Sequence, residues 1–468
     1  MNPPASSVSE TPQGKPKLLV DLLRHTRPRP AAEGASGLNI LYLCHRVPYP
    51  PDKGDKIRAY HQIRALARRH RVHLLTLTDG AVPDLTPLHN LCERVEVFPV
   101  HRPSAYLRSA LGALKMWRPR PLTLAFFDSE ELRRRVEELA RSERFDVVVA
   151  YSSSMAPYVE PFAGVPSVLD MVDVDSAKWE QYSHFARRPM RPVYALEARR
   201  LRGYEAEVAE RFDRVVLATA NEARQLKEIA PKAKVVAVAN GVDFDYFRPL
   251  DLPKSENPML VFTGQMDYFA NIDGVVFFAR EVFPRLRLRF PDLEFIIVGR
   301  SPAPAVRALI EIPGVAVTGA VGDVRPFLAR AWAFVAPLRI AQGVQNKVLE
   351  AMAMGLPVVC SERVLAGLAE GGFRHGRDLL AASSAEGLES CLASLLEDAE
   401  ARHRLADCAR QLLGAAYRWG ANLDKFEEQL AAVTRLQPSS GGAPKRKSDT
   451  GVLSLTPPAT ADGGARSA

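Results

Sequence analysis

Cysteine is scarce in this chain, and the spacing of the cysteines matches no known disulfide or metal-binding motif. The 468 residues contain five cysteines, an odd number, and no two of them form a Cys-x-x-Cys pair. This distribution argues against a disulfide framework and against a structural zinc site. It favours a reducing compartment, and we therefore expect a cytoplasmic protein.

Long apolar stretches are missing as well. No run of eighteen or more apolar residues could cross a bilayer, and the first residues, MNPPASSVSETPQGKPK, lack the charged start and apolar core of a signal peptide. No motif of a known nucleic-acid reader occurs, so we expect no nucleic-acid partner. No Gly-x-Gly-x-x-Gly follows the first predicted strand, which disfavours a nicotinamide-dependent enzyme.

Positive charge is in excess, and part of it is concentrated in one segment. The formal net charge is +8, and residues 101–120 (HRPSAYLRSALGALKMWRPR) contain five Lys or Arg residues, no acidic residue, and interleaved Tyr, Leu and Trp. This composition is typical of an amphipathic helix lying on a membrane, and it predicts peripheral contact with the inner face of the cytoplasmic membrane. The alternative is a solvated helix that covers the edge of the first domain.

The two ends of the chain differ in composition from its middle. Residues 1–37 and 437–468 are rich in Pro, Ser, Ala and Gly, and we predict that both tails are disordered because they can bury little apolar surface. Between them, short apolar runs such as Leu38–Cys44 and Met259–Thr263 alternate with longer amphipathic stretches. The alternation is typical of βαβ units, and strands this rich in Val, Ile and Leu favour parallel sheets buried on both faces.

The alternation occurs twice, which predicts an α/β protein of two Rossmann-like, doubly wound domains facing a cleft. We place the first domain in residues 38–240 and the second in 241–420, joined at the Asn-Gly turn of 239–249. Residues 421–436 are predicted to form a helix that crosses back to the first domain. Ligands of such sheets lie beyond the carboxyl ends of the strands, so the site is expected in the loops that follow them.

One of these loops opens a helix with two distinct faces. In residues 339–355 (RIAQGVQNKVLEAMAMG), Asn346, Lys347 and Glu350 share a face separate from the apolar stripe. The free N–H groups of a helix amino end favour a diphosphate, and Gly343 lets the backbone approach it closely. Lys347 and the arginine that opens the segment add positive charge, and Glu350 suits ribose hydroxyls. The alternative is a surface helix in which Lys347 and Glu350 form an i,i+3 ion pair.

The run PLRIAQGVQNKVLEAMAMGLPVV resembles the signature of the retaining, GT-B-fold glycosyltransferases of family 4, in which two glutamates are separated by seven residues. The second glutamate maps onto Glu350. The first maps onto Gln342, whose amide can hydrogen-bond sugar hydroxyls but carries no charge. The Gln-Asn-Lys variant is similar to a subgroup found alongside exosortase and PEP-CTERM exopolysaccharide systems. The resemblance covers roughly residues 38–436.

The resemblance implies a site for a nucleotide diphosphate sugar, with UDP or GDP as the nucleotide. It assigns catalysis to Asp173, Gln342, Arg339 and Lys347. Donor binding is assigned to a set that follows the strand ends of both halves: Gly54, Gly264, Gln265, Asn271, Arg300, Val321, Gly343, Val344, Asn346 and Glu350.

This set departs from the family in its charges. Gln265 and Asn271 stand in the loop where relatives often carry Arg and Lys. Neutralisation of the diphosphate therefore depends on Arg339 and Lys347, with help from Arg300. On the acceptor side, the loop His45–Arg58 offers three cations, and we predict contacts to an acceptor phosphate from Lys53, Lys56 and Arg58.

We expect no cofactor and no metal. The tripeptide Asp173-Val174-Asp175 matches the Asp-x-Asp that holds a divalent ion in the other glycosyltransferase fold. We disfavour that interpretation because two-carboxylate tripeptides occur by chance and cationic side chains can neutralise the leaving group. Glu205 is predicted to lie on an exposed face of one long helix, Lys178–Arg211.

These patterns together predict a glycosyltransferase of the hexosyltransferase type. It would move a sugar from a nucleotide diphosphate donor to a saccharide or lipid-linked acceptor with retention, in exopolysaccharide biosynthesis. Two alternatives stay open. One is another GT-B enzyme, such as a nucleotide-sugar epimerase or a phosphorylase. The other is a non-catalytic scaffold, which Gln342 and the missing loop cations would suit.

Overall fold

The computed structural model describes residues 25–26, 37–100, 120–185, 188, 190–341 and 343–435. The predicted basic segment 101–120 lies outside the described residues apart from Arg120, and Gln342 and the tail from residue 436 onward lie outside them too. Within the described part of the chain, no helix is long and apolar enough to cross a membrane.

A sheet of eight strands forms the first domain. Its strands are β1 (His25–Thr26), β2 (Asn39–Cys44), β3 (Arg71–Thr78), β4 (Arg94–Pro99), β5 (Val147–Tyr151), β6 (Ser167–Val172), β7 (Arg214–Leu217) and β8 (Val235–Ala237). Their spatial order is β1-β4-β3-β2-β5-β6-β7-β8, with β2 to β8 parallel and β1 antiparallel to β4. The order reverses around β2, so the loops after β2 and β5 border the crevice where doubly wound sheets bind ligands.

Helices cover this first sheet. They are α1 (Gly54–Leu66), α2 (Thr86–His89), α3 (Leu122–Phe126), α4 (Glu130–Ser142), α5 (Asp175–Phe185), α6 (Arg191–Arg211) and α7 (Ala220–Ile229), with 3-10 turns at Ser153–Tyr158 and Glu160–Phe162.

A second parallel sheet of six strands forms the other domain. It contains β9 (Met259–Thr263), β10 (Glu294–Val298), β11 (Val315–Gly319), β12 (Ala333–Ala336), β13 (Val358–Ser361) and β14 (Leu380–Ala382). The order is β11-β10-β9-β12-β13-β14, so the loops after β9 and β12 border its own crevice. The two sheets confirm the predicted α/β architecture of two doubly wound domains.

The helices of the second half complete the fold. They are α8 (Phe269–Phe277), α9 (Phe283–Arg289), α10 (Pro304–Arg307), α11 (Arg325–Arg330), α12 (Asn346–Ala353), α13 (Glu362–Leu368), α14 (Ala385–Glu397), α15 (Ala399–Ala416) and α16 (Trp419–Arg435). A π-helical turn, Phe278–Val282, joins α8 to α9, and 3-10 turns lie at Ala308–Glu311 and Ala369–Gly371.

The apolar content of the strands explains why both faces of each sheet are covered. Every residue of β5 (VVVAY) is buried. Val147 and Val149 pack into one core and Val148 and Ala150 into another, because successive side chains of a strand point to opposite faces. A strand apolar on both faces is stable only between two layers of helices.

The chain crosses between the domains twice. The first crossing is at Gly241, where an added Cβ would lie 2.6 Å from the backbone nitrogen of Trp419 at the second crossing. Nearby, the Asn422 amide donates to the Asn240 carbonyl over 3.0 Å. Helix α16 then packs its apolar side chains into a core of the first domain: Phe426, Leu430 and Val433.

Three elements differ from the expectations above. The single long helix predicted for Lys178–Arg211 is two helices, α5 and α6, because Pro192 in the first turn of α6 lacks the N–H that a continuous helix would need. Strand β8 escaped prediction because it is only three residues long and none of them is fully buried. Residues 25 and 26 form β1 within the tail whose composition predicts disorder.

Candidate active site

Unusual backbone conformations occur at the carboxyl ends of three strands. Ser152 follows β5, Val172 ends β6 and Ser301 follows the β10 loop, and all three have positive φ, of 81°, 67° and 54°. A left-handed conformation costs a non-glycine residue roughly 1–2 kcal/mol, most for a β-branched one. Strain of this kind persists where surrounding contacts fix the loop, which is common at binding sites.

The amino end of α12 faces the first domain. Several other helices begin with a Ser, Thr or Asp side-chain cap, whereas α12 has no side-chain cap. Asn346 opens the helix, and its Oδ1 accepts from Asn240 Nδ2 over 3.2 Å. The buried Asn346 Nδ2 has no hydrogen-bond partner and lies 3.7 Å from the position of a Cβ at Gly54. An unused donor and free helix N–H groups therefore point toward the loop after β2.

Lys347 lies in the first turn of α12, beside the loop after β9. Its Nζ donates to Asn271 Oδ1 over 2.9 Å and sits 5.4 Å from the centre of the Phe262 ring. Asn271 in turn donates from Nδ2 to the Gln265 carbonyl over 2.8 Å. A Cβ on Gly264 would approach Asn271 Nδ2 to 2.8 Å, so any larger residue there would displace the Asn271 amide. The loop, the amide and the cation form one compact surface.

Desolvation shifts the pKa values of both charged residues of α12. Burial lowers the pKa of Lys347 to about 8, and burial raises the pKa of Glu350 to about 7, with the Lys347 charge acting against that rise. Lys347 donates to Asn271 instead of forming the i,i+3 ion pair of the alternative interpretation. A cation and an acid with displaced pKa values in a cleft are typical of a ligand site.

Arg339 is committed to another partner. Its guanidinium donates to Asp273 from Nε over 2.9 Å and from Nη2 over 2.5 Å, and it stacks 4.8 Å above the Phe277 ring and 5.7 Å from the Phe185 ring. The expectation that Arg339 offers its charge to a diphosphate is not what the structure displays, because Asp273 matches that charge. Asp273 was missed in the sequence, since it stands 66 positions earlier.

Arg300 connects the two domains. Its Nη1 lies 2.7 Å from Asp52 Oδ2 in the loop before α1, and the Gln265 side-chain amide also faces its guanidinium. The structure therefore brings Gln265 and Arg300 together at the mouth of the crevice, next to the predicted acceptor loop.

A pair of carboxyl groups faces the loop after β12. A Cβ on Gly343, whose φ is +60°, would lie 2.8 Å from Asp173 Oδ1 and 3.3 Å from Glu222 Oε2. Burial, with the nearby Asp175 charge, raises the pKa of Asp173 to about 6, and burial together with Asp173 raises the pKa of Glu222. Like charges this close cannot both ionise easily, so the pair tends to hold a proton.

Glu222 is a site residue that the sequence reasoning missed. Its backbone N–H donates to Thr219 Oγ1 over 3.1 Å, and Thr219 Oγ1 donates back to its carboxylate over 3.0 Å. Thr219 is therefore the N-cap of α7, and its hydroxyl links the helix start to the Glu222 side chain. The Thr-x-x-Glu pattern was the available signal, and it would have placed the glutamate at the carboxyl end of β7.

The remaining predicted donor residues divide into two groups. Val321 and Val344 are half-buried against the core of the second domain, without a described contact to the carboxyl pair or to Lys347. Gly343 packs closely on α13, since a Cβ on Gly367 would lie 2.3 Å from its carbonyl oxygen. Gln342 lies outside the described residues, although its neighbour Gly343 places the loop beside Asp173.

The structure corrects the role predicted for Arg58. The side chain is buried, and it donates to Asp170 Oδ2 over 2.9 Å and to the Val238 carbonyl and Asn240 Oδ1 over 2.8 Å each. It is not available to an acceptor phosphate. A cavity of about 150 Å³ beside the loop after β2 is instead bordered by three other cations: Arg46, Lys53 and Lys56.

Two further acidic residues, Glu205 and Asp175, have partners that the sequence did not predict. Glu205 is buried, not exposed, and accepts from the backbone N–H of Ser176 over 3.1 Å at the start of α5. Burial raises its pKa to about 8. Asp175 pairs with Lys178 over 3.0 Å, which separates its role from that of Asp173. Among the described residues no group of three His, Cys, Asp or Glu side chains converges on a metal position.

Both domains of the chain match known protein families. Residues 54–241 match the family model of the glycosyl transferase 4-like domain, and residues 257–398 match that of the glycosyl transferases group 1. The chain carries the two domains of a GT-B glycosyltransferase. The boundary between the matches falls at the first crossing between the domains. No curated protein sequence matches the chain.

Solved structures show the same fold for this glycosyltransferase. Sucrose-phosphate synthase of Thermosynechococcus elongatus matches with a TM-score of 0.64 and 16% identity, covering 85% of this chain and 100% of that one. HepE of Anabaena, solved with UDP and glucose, gives 0.59 and 16% over 84% and 100%. A glycosyltransferase of Rickettsia africae gives 0.61 and 12% over 86% and 100%. At these identities the likeness establishes the GT-B fold alone.

Proposed function

We propose that this glycosyltransferase moves a sugar from a nucleoside diphosphate sugar, UDP- or GDP-linked, to an acceptor held by the first domain, with retention at the anomeric carbon. The observation that carries the proposal is the amino end of α12, which faces the loop after β2 and places a desolvated Lys347 beside Gly264. The HepE structure holds UDP and glucose in the same fold.

The donor diphosphate would occupy the space between Gly54, Gly264 and the start of α12. The helix N–H groups and the Asn346 amide donate to phosphate oxygens, and Lys347 supplies a full positive charge. A glycine at both loop positions lets the phosphates approach the backbone closely. Glu350, one turn further along α12, accepts from the ribose hydroxyls.

The leaving group determines what chemistry this site must perform. Departure of the nucleoside diphosphate develops negative charge on its phosphate oxygens, and fixed donors in a water-poor cleft stabilise such charge effectively. Lys347 and the end of α12 are fixed donors of this kind, held by Asn271 and by the packing of the helix on β12. The carboxyl pair of Asp173 and Glu222 lies on the opposite wall, where the sugar would sit.

The acceptor is proposed to be a saccharide or lipid-linked saccharide that carries phosphate. Arg46, Lys53 and Lys56 border the cavity beside the loop after β2, and burial with the neighbouring Arg46 charge lowers the pKa of Lys53. Arg46 and Lys56 already pair with Asp55 and Asp52, over 3.1 Å and 3.3 Å, so Lys53 is the cation of this loop that we propose meets the acceptor phosphate. An exopolysaccharide pathway at the inner face of the membrane, with residues 101–120 in peripheral contact, completes the proposal, and no metal or cofactor is invoked.

The experiment is a thermal-shift screen of UDP- and GDP-sugars, followed by product analysis with and without acceptor. A ligand that binds only the folded chain raises its melting temperature. We expect one nucleotide class to stabilise the wild type, and we expect Lys347→Met to reduce that shift without abolishing it. Sugar nucleotide converted without acceptor would indicate an epimerase and overturn the transfer reaction.

A non-catalytic scaffold is the second candidate, and one observation favours it. Arg339 is bound to Asp273, and the uncharged Gln265 and Asn271 lie in the loop after β9 and at the start of α8, so Lys347 stands with little cationic help. Calorimetry with UDP and GDP shows whether the site binds a nucleotide at all. Binding without transfer to any acceptor, under conditions where the protein is folded, would support the scaffold.

A further inference from the structure

A chain of side-chain hydrogen bonds leads from the interior of the first domain to the amino end of α12. It begins at a buried ion pair, in which Arg58 Nε donates to Asp170 Oδ2 over 2.9 Å. Arg58 Nη1 donates to Asn240 Oδ1 over 2.8 Å, and Asn240 Nδ2 donates to Asn346 Oδ1 over 3.2 Å. The side chain of Asn240 is buried as well, so two amides in series connect the ion pair to the second domain.

The guanidinium of Arg58 determines which way both amides point. An arginine keeps its positive charge in proteins and has donors only. The Asn240 amide must therefore present its oxygen to Arg58, which leaves its nitrogen to face Asn346. Asn346 must in turn present its oxygen to Asn240, and its nitrogen is then the group directed away from Asn240.

That nitrogen, Asn346 Nδ2, is the free end of the chain. It is a buried atom without a hydrogen-bond partner, and it lies 3.7 Å from the position of a Cβ at Gly54. The N–H groups at the same end of α12 already favour an anion. An amide nitrogen here adds another donor, whereas an amide turned the other way would place an oxygen against a phosphate.

The first members of the chain are held in place by further contacts. Asp170 also accepts from Gln62 Nε2 over 2.5 Å and from the backbone N–H of Val172 over 3.0 Å. The backbone carbonyl of Asn240 accepts from Asn422 Nδ2 over 3.0 Å. Rotation of Arg58 or Asn240 would leave buried polar groups unpaired, which is costly, so the direction of the chain is fixed before a ligand arrives.

We infer that Asn240 is a positioning residue of the donor site. It transmits the donor character of Arg58 to Asn346, so that Asn346 Nδ2 faces the diphosphate of the nucleotide sugar. The inference rests on the proposed function, because that function supplies the anion. It gives the buried Arg58 and Asp170 a part in donor binding although neither contacts the donor.

The test is a double-mutant cycle in which calorimetry measures the affinity of the full chain for UDP and for GDP. Asn240→Leu removes both polar groups at nearly the same size, and Asn346→Ala removes the terminal donor. Asn346→Ala should lower the affinity by about tenfold, and Asn240→Leu by about threefold to tenfold. The double variant should bind no more weakly than Asn346→Ala alone, because Asn240 acts through Asn346.

Asn240→Asp is the second variant, since it keeps the shape of the side chain and an acceptor for Arg58. A carboxylate only accepts, so Asn346 would turn its nitrogen toward it and its oxygen toward the phosphate. The loss of affinity should exceed that of Asn240→Leu and should become smaller when Asn346 is also replaced by Ala.

Asn39→Leu is the matched control. Its amide also has two side-chain contacts, to the Arg144 carbonyl and to His73 Nε2, but it lies at the amino end of β2, away from the crevice. This variant should bind nucleotide as the wild type does. Melting curves without ligand show which variants fold, and Asn240→Asp completes the cycle if Asn240→Leu does not fold.

The outcomes separate this inference from the proposed function. A folded wild type that binds neither nucleotide would overturn the proposed function, and the inference with it. A wild type that binds while both Asn240 variants bind equally well would overturn the inference alone. So would losses that multiply in the double variant, because Asn240 and Asn346 would then act independently.

Discussion

Lys347 Nζ donates a hydrogen bond to Asn271 Oδ1 over 2.9 Å, which ties the cation of α12 to the helix that follows β9. Asn271, at the start of α8, stands at the position where the family resemblance predicts a second positive charge. In the structure this amide instead orients the lysine that is present. Lys347 is therefore a desolvated cation with one neutral partner, Asn271, and without a second cation beside it in the described contacts. A bound phosphate would supply the opposite charge that stabilises its protonated form.

The first prediction concerns Lys347 in turnover. Lys347→Met should lower kcat/KM by roughly 100- to 1000-fold, the usual effect of removing one fixed donor from a developing anion. Steady-state transfer with the nucleotide sugar found by the thermal-shift screen measures it. Lys254→Met is the matched control, because burial also lowers the pKa of Lys254, whose Nζ donates to the Ala331 carbonyl away from the crevice. Undiminished transfer by the Lys347 variant would remove the proposed role.

The second prediction concerns the pH dependence of donor binding. Free Lys347 loses its proton near pH 8, because burial holds its pKa at about 8, and a bound phosphate favours the charged form. Affinity should therefore fall by up to about tenfold per pH unit above pH 8. Glu350, with its pKa raised to about 7, accepts from two ribose hydroxyls most strongly when it is ionised, so affinity should also fall below pH 7.

Calorimetry across this range checks both limbs. An intact sugar nucleotide is the suitable ligand, since neither of its phosphates gains or loses a proton there, whereas UDP itself titrates. Lys347→Met should lose the alkaline limb and Glu350→Gln the acidic one. A pH profile that is flat in the wild type would contradict the assignment of these two residues to the donor.

The fold could be predicted from sequence patterns because most strands are marked by a short run of apolar residues. A run such as VVVAY in β5 is apolar at every position, and only a sheet covered on both faces buries it. The amino end of α12 was predictable for a similar reason, since Gly343 and the periodicity of the next residues are local signals. Strand β8 has neither a long run nor full burial, and it was missed.

The partners of charged residues were not predictable, because they come from distant positions. Arg58 binds Asp170 and Asn240, which lie 112 and 182 positions away. Arg339 binds Asp273 on α8, the helix that follows β9, which is the spatial neighbour of β12. A side chain that looks available in the sequence can be neutralised by any acid that the topology brings near. Local composition gives the charge of a loop but not whether that charge is free.

The third prediction separates steric fit from backbone conformation at Gly343. Gly343→Ala places a methyl group 2.8 Å from Asp173 Oδ1 at a φ of +60°, so it should lower transfer by at least about tenfold and cost roughly 1–3 kcal/mol of stability. Gly376→Ala is the control: its φ is +80°, and an added Cβ meets nothing within 4 Å. The control should lose about 1 kcal/mol and keep its activity. Equal activity of both variants would show that the Asp173 wall does not border the reacting sugar.

The fourth prediction concerns the proton held between Asp173 and Glu222. Both pKa values are raised in the folded chain, that of Asp173 to about 6, so both groups keep a proton to higher pH than they do after unfolding. Their contribution to stability is complete below the ordinary carboxyl pKa and is lost as pH rises through the folded values. Glu222→Gln removes one ionisation and the like charge that raises the other.

The melting temperature of Glu222→Gln should therefore equal that of the wild type near pH 4 and exceed it near pH 8, by an amount corresponding to about 1–2 kcal/mol. The amide oxygen can accept from the Val174 N–H in place of Oε1, and the amide nitrogen can donate to Thr219 Oγ1, so the side-chain contacts at the start of α7 are retained. Glu207→Gln on the exposed face of α6 serves as the control and should show no pH-dependent gain. A Glu222→Gln variant that is less stable at pH 8 than at pH 4 relative to wild type would mean that the two carboxylates are charged and separately stabilised, and the proposed shared proton would be wrong.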